Sequence, residues 1–171
     1  MTRRRAEKTD GRIRGAATGD AERLCAIYNY YVANTVITFE EQAVPAPEMG
    51  RRIADGTTSY PWLVWEHDGT IAGYAYAAAW RPRSAYRFAV ETTVYISPER
   101  AGQGIGAALY EELIERLPAC GFHCAIGSIA LPNPASVALH EKFGFTKLGE
   151  LKEIGWKLDR WVDVGYWQLL L

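Results

Sequence analysis

Cysteine is scarce in this sequence: Cys25, Cys120 and Cys124 are the only three in 171 residues, an odd number with no C-x-x-C pair. That excludes a disulfide framework and a paired-cysteine zinc module. Cys120, His123 and Cys124 lie close together but lack a fourth ligand, so the cysteines read as buried, reduced thiols and no metal is expected. An excess of charge is also absent. Lys plus Arg number 19 against 20 Asp plus Glu, a net charge of −1, which argues against a broad basic face and hence against nucleic acid as a partner. Apolar runs are short, the Ile71 to Trp80 stretch being interrupted by Gly73 and by Tyr74 and Tyr76, well below the ~20 residues of a membrane span. No membrane partner is expected. Arg3, Arg4 and Arg5 precede no apolar segment of the kind a secretory or twin-arginine signal carries, so 1–12 read as a flexible basic tail and the chain as cytoplasmic.

What remains is the composition of one ordinary globular domain, 49% hydrophobic and 23% charged, assigned to 13–171. Leu24, Ile27, Tyr28 and Tyr31 recur at helical spacing after Asp20. Pro47, Met49 and Ile53 mark a second helix ending near Gly56. Trp62 to His67 and Thr70 to Trp80 read as strands joined by Asp68-Gly69, a strong hairpin signal. From Phe88 to Ile96 the residues alternate, with Val90, Thr92, Val94 and Ile96 on one face and Glu91, Thr93 and Tyr95 on the other. A turn rich in glycine, Gly102 to Gly106, then opens a helix carrying Ile105, Leu109, Leu113 and Leu117, stopped by Pro118 and Gly121. A strand from Phe122 to Ala130, a short helix from Val137 to Phe143 capped by Gly144, and strands near 145–152 and 161–170 complete the chain. The order of elements predicts a mixed sheet, antiparallel in the first half and partly parallel after it.

A strand, a turn with alternate glycines and an immediate helix place backbone N–H groups at a helix N-terminus, an anion site suited to a pyrophosphate. Alone, the turn also fits the loose dinucleotide fingerprint or a merely tight connection. A dinucleotide site needs a carboxylate at the end of the next strand, and Phe122 to Ala130 has none. A P-loop needs Gly-Lys-Ser or Gly-Lys-Thr, which is missing.

The segment Val94-Tyr95-Ile96-Ser97-Pro98-Glu99-Arg100-Ala101-Gly102-Gln103-Gly104-Ile105-Gly106 resembles the acetyl-CoA motif of the GNAT family of N-acetyltransferases. Asn133, Ser136 and Leu139-His140-Glu141-Lys142-Phe143-Gly144-Phe145 resemble its second motif, in the expected order. Trp80 to Tyr86, Val90 to Tyr95, Leu131-Pro132-Asn133 and Asp163 to Trp167 resemble the phosphinothricin and methionine sulfoximine acetyltransferases within it, from about Ile13 to the C-terminus. The resemblance implies an α/β (α+β) fold, with a mixed, mostly antiparallel sheet and helices on both faces. It also implies acetyl-CoA as cosubstrate, a small amino acid as substrate, and a homodimer. The aromatic cluster Trp156, Trp161, Tyr166 and Trp167 fits such an interface.

Site residues follow from the same resemblance. Val94, Tyr95, Ile96, Gly102, Gln103, Gly104, Ile105, Gly106, Ala107 and Asn133 are the expected acetyl-CoA contacts. Where the family usually has Gln or Arg, this chain has Ala101, preceded by Arg100, so the backbone amides carry the assignment. An amine attacks a thioester only when neutral, so a base is needed, and Glu91 is placed to serve, through water. His140 matches a position that protonates the leaving thiolate in relatives. The oxyanion is expected at N–H groups where the Val94 to Ile96 strand splays from its neighbour. Arg81, Arg83 and Tyr86 suit a substrate with a carboxylate and a second polar head, with Phe39 and Val164 lining the pocket. No Cys or Ser beside a matched His points to a covalent nucleophile, so transfer is expected to be direct in a ternary complex. The alternatives are acetylation of a protein N-terminus or polyamine, the latter disfavoured by Arg81 and Arg83, and a non-catalytic acetyl-CoA sensor.

Overall fold

The computed structural model describes residues 11–171; most of the expected basic tail, 1–10, lies outside the described residues. Seven strands and four helices follow in the order β1 (Arg12–Gly15), α1 (Ala21–Asn34), α2 (Ala46–Thr57), β2 (Trp62–His67), β3 (Thr70–Ala79), β4 (Ala89–Ile96), α3 (Ile105–Arg116), β5 (Cys124–Leu131), α4 (Pro134–Lys142), β6 (Thr146–Lys157) and β7 (Arg160–Leu170). They form one sheet in the order β1-β2-β3-β4-β5-β7-β6. The β4–β5 pair is parallel and the others are antiparallel, as the element order predicted.

The alternation in β4 divides the interior. Val90 faces a core with Leu109, Tyr110, Leu113 and Leu117 from the α3 side, while Tyr95 faces a second core with Leu24, Ile27 and Tyr28 of α1 and Met49 and Ile53 of α2. Helices therefore cover both faces. Leu109, Leu113 and Leu117 are fully buried, each stabilising the fold by about 1.5–3 kcal/mol. The Asp68-Gly69 turn has positive φ at both residues, 46° and 71°, which matches the right-handed twist of the flanking strands.

Four features depart from the sequence reading. Arg12 and its neighbours form β1, because Arg12 and Arg14 both pair with Glu66 on β2, at 2.9 and 2.7 Å. Helix α4 starts at Pro134 rather than Val137: the Asn133 side chain accepts from Ser136 N at 3.1 Å, and a proline at the first helical position needs no N–H partner. Strands β6 and β7 run further than expected and meet at Leu158-Asp159, with φ 52° and 55°, a tight turn that carries none of the glycine signals. Cys120 is exposed, while Cys25 and Cys124 are buried as expected.

Candidate active site

Strands β4 and β5 pair only from Ala89 to Glu91 and from Cys124 to Ile126, then diverge. The backbone of β4 beyond Glu91 is thereby freed on the β5 side, as the resemblance implied. Two spaces open along this split, and Ile37, in the α1–α2 connection, borders both.

The first is a groove of about 340 Å³. Val94, Tyr95 and Ile96 form one wall, and Gly102, Gly104, Ile105, Gly106 and Ala107 form the end. Gly102 and Gly104 have φ of 76° and 80°, and nothing lies within 4 Å of where their β-carbons would be, so the turn adopts a shape other residues resist and leaves its open side clear. Among the described residues no side chain caps α3, and Ala108 N donates to Gly104 O at 3.0 Å. The N–H groups ahead of it have no intrahelical acceptor, which is the donor set a pyrophosphate requires. Gln103 is exposed and does not line the groove. Arg100 does; its guanidinium lies 5.7 Å from the Trp65 ring centre, and its buried Nε has no hydrogen-bond partner among the described residues. Asn133 borders the groove while capping α4.

Tyr31, Ser136 and Leu139 also line this groove. Sequence reasoning counted Tyr31 as one apolar position of α1, but its hydroxyl donates to Ile96 O at 2.6 Å and ties the end of β4 to the helix. Burial raises the Tyr31 phenol above its ordinary value, so it remains a donor.

The second space is a cleft of about 600 Å³. Glu91 stands on its floor beside Ser128, Ala130, Val164 and Tyr166, all on one face because Glu91 pairs with Ile126, and Ser128 and Ala130 pair with Tyr166 and Val164. Among the described residues Glu91 makes no ion pair. Phe39, Trp80, Arg81 and Ile154 wall the cleft. The Arg81 guanidinium sits 5.1 Å from the Trp80 ring centre, and Trp80 meets Tyr166 edge to face at 5.8 Å.

Ile154 reaches the cleft because β6 bulges. Leu151 opposes Val164 and Gly155 opposes Val162, leaving Lys152 to Ile154 opposite Asp163 alone. Asp163 secures the bulge by accepting from Glu153 N at 2.8 Å and from Lys152 at 3.0 Å. These bonds hold its carboxyl below the usual value, the backbone bond contributing most.

Besides Gln103, three expected site residues lie outside both spaces. Arg83 and Tyr86 sit on the exposed β3–β4 connection, Tyr86 within a single helical turn at Ser84–Tyr86, and neither lines the cleft. His140 is 4% exposed and borders neither space. Its Nδ1 lies 2.8 Å from Ser136 O, which requires a proton on Nδ1. The buried Nε2 has no hydrogen-bond partner among the described residues and faces Gly127, where a β-carbon would overlap the ring. Ser136 Oγ lies 3.4 Å from Nδ1, a proximity the sequence reading did not anticipate; because Nδ1 is already a donor, it cannot take the serine proton. Burial lowers the His140 pKa below its ordinary value, against the bond to Ser136. The interface cluster is likewise divided: Trp156 and Trp161 are exposed, Trp167 is in the core, and Tyr166 lines the cleft.

Known proteins match this chain over most of their length. The acetyltransferase (GNAT) domain pattern matches residues 13–165. A phosphinothricin N-acetyltransferase of Streptomyces viridochromogenes is 38% identical, the match covering 95% of this chain and 88% of that protein. An L-methionine sulfoximine/L-methionine sulfone acetyltransferase of Salmonella typhimurium is 34% identical over 93% and 94% of the two. A phosphinothricin acetyltransferase from Sinorhizobium meliloti, solved in complex with acetyl-CoA, superposes with a TM-score of 0.92 at 41% identity, covering 95% of this chain and 89% of that one. With the glycine turn, the uncapped α3 and the split between β4 and β5 all in place, the chain belongs to the GNAT acetyltransferases and is an acetyl-CoA-dependent N-acetyltransferase.

Proposed function

We propose that the protein acetylates the α-amino group of a small amino acid with a second polar head, of the phosphinothricin, methionine sulfoximine or methionine sulfone kind, by direct transfer in a ternary complex. The observation that carries this reading is Glu91, on the floor of a cleft that meets the glycine-lined groove at Ile37. The groove is the acetyl-CoA site in this reading, and the bound cosubstrate supplies the acetyl thioester. The α3 N–H groups and Arg100 hold its pyrophosphate, Arg100 standing in for the side chain that Ala101 lacks.

In the cleft, Arg81 offers a planar pair of donors to the substrate carboxylate, and Phe39, Val164 and Ile154 enclose the side chain. The Glu91 carboxylate takes a proton from the substrate ammonium, through water, so that the neutral amine can attack. N–H groups of β4 beyond its last pairing with β5 donate to the developing oxyanion; its collapse breaks the C–S bond, and the CoA thiolate leaves with the second amine proton, carried to it through water. His140, buried and oriented away from both spaces, has no part in proton transfer. Exposed Trp156, Trp161 and Leu158 support a homodimer through the β6–β7 hairpin, and the need for acetyl-CoA supports a cytoplasmic setting.

The test is thiol release from acetyl-CoA with phosphinothricin, methionine sulfoximine, methionine sulfone, glutamate, spermidine and a short peptide. Release with the first three alone is the expected result. Release only with spermidine or the peptide would overturn the substrate assignment and leave the acetyltransferase intact.

A further inference from the structure

Among the residues of β6, only Gly155 and Lys157 are buried. Both lie against the segment 35–44, which joins α1 to α2 without a helix or strand of its own and carries Ile37 and Phe39 to the cleft. We propose that Gly155 and Lys157 form a dock that sets the position of this segment and, through Phe39, the amino-acid selectivity of the cleft. The selectivity half of this inference rests on the substrate reading above.

Three contacts define the dock. The Phe39 ring packs against the backbone at Gly155, where any β-carbon would overlap it. Lys157, 2% exposed, sends its ammonium inward to donate to the Thr38 carbonyl at 2.8 Å. Val36 packs with Ala130 and Val162 in a small separate cluster, and Val162 is the partner of Gly155 across the hairpin. The opposite side of the segment is tied to the helices: Tyr28 Oη lies 2.7 Å from Thr38 Oγ1 and donates to Glu40 at 2.9 Å, and Arg52 reaches Glu40 at 2.7 Å. Thr38 is thus held from both sides, with Phe39 next to it.

A buried ammonium is an expensive way to fill space. Burial lowers the Lys157 pKa, and the carboxylates of Glu41 and Glu40, both in the docked segment, oppose that effect. The charge is therefore matched to this segment, and an apolar side chain of equal length would leave the buried Thr38 carbonyl without a donor. The same hairpin also supplies Ile154 through its bulge, so one element fixes two walls of the cleft.

The experiment compares wild type with Gly155→Ala, Lys157→Met, Lys157→Arg, Phe39→Ala and the Phe39→Ala/Gly155→Ala double variant. Gly155→Ala should raise the KM for methionine sulfone or phosphinothricin by about fivefold or more while the acetyl-CoA KM stays within about twofold. The double variant should be no worse than Phe39→Ala alone, because the added methyl has no ring left to meet. Amide hydrogen exchange in 37–41 should quicken by about tenfold in Gly155→Ala and Lys157→Met, and Lys157→Arg should recover part of the protection. Additive KM effects of Phe39→Ala and Gly155→Ala would overturn the selectivity role, and unchanged exchange in Gly155→Ala would overturn the dock. If wild type acetylates none of the amino acids, the substrate reading and the selectivity role fall together, while exchange still decides whether the dock exists.

Discussion

The groove and the cleft are neighbours built by different means. The groove is largely backbone: two glycines with positive φ, an uncapped helix start and a strand edge, most of it within 94–107. The cleft is made of side chains from the α1–α2 connection, the end of β3 and the loop after it, β4, β5, and the bulged β6–β7 hairpin. Backbone amides bind any pyrophosphate they can reach and tolerate much change in surrounding side chains. A cleft of side chains changes its preference with each substitution, so relatives can keep one cosubstrate while differing in the amine they accept.

Four experiments press on this contrast. Glu91→Gln should lower kcat/KM by about 10²–10⁴-fold, the scale of a lost general base, with acetyl-CoA affinity by calorimetry unchanged; an equal loss of cosubstrate binding would break the separation. Arg81→Ala should raise the amino-acid KM by about 10–100-fold, from the loss of a charge-assisted bond. Arg83→Ala, on the exposed loop, should change the same constant by less than about twofold. Steady-state kinetics with each substrate varied in turn separates the two arginines. On the groove side, Gly104→Ala introduces a β-carbon at φ 80° and should weaken acetyl-CoA binding by about tenfold, from about 1–2 kcal/mol of backbone strain, with a smaller effect on the amino-acid KM.

The smallest effect concerns His140, which borders neither space. Its folded pKa lies below the unfolded one because burial disfavours the imidazolium. The unfolded chain therefore binds the proton more readily, and the stability gained from a neutral His140 is complete above about pH 6.5 and declines as pH falls toward the folded value. A thermal unfolding series from pH 7.5 to 5.5 should show a smaller acid-side decrease in Tm for His140→Asn than for wild type. An unchanged slope would mean that the buried imidazole is not a source of acid sensitivity.

The legibility of the sequence followed the same division. The hairpin at Asp68-Gly69, the faces of β4 and the glycine turn with its helix are written in local patterns, because turn φ values, period-two alternation and helix starts depend on near neighbours. β1 was not legible, since Arg12-Ile13-Arg14-Gly15 becomes a strand only through Glu66 on a partner far along the chain. Nor was the Leu158-Asp159 turn, whose residues adopt positive φ without glycine. Arg81 and Arg83 are alike in sequence, and only the course of the loop after β3 brings one to the cleft and leaves the other in solvent.

By itself the sequence determined the family, the glycine turn that opens α3 and the face of β4 that carries Glu91, because each is encoded in contiguous residues whose backbone geometry is local. Tertiary structure alone decided that His140 turns toward Gly127, that Tyr31 closes the end of β4, and that Lys157 is buried beneath Thr38. Those outcomes depend on strand register and on which face of an element is covered, and both are set only when distant segments of the chain meet.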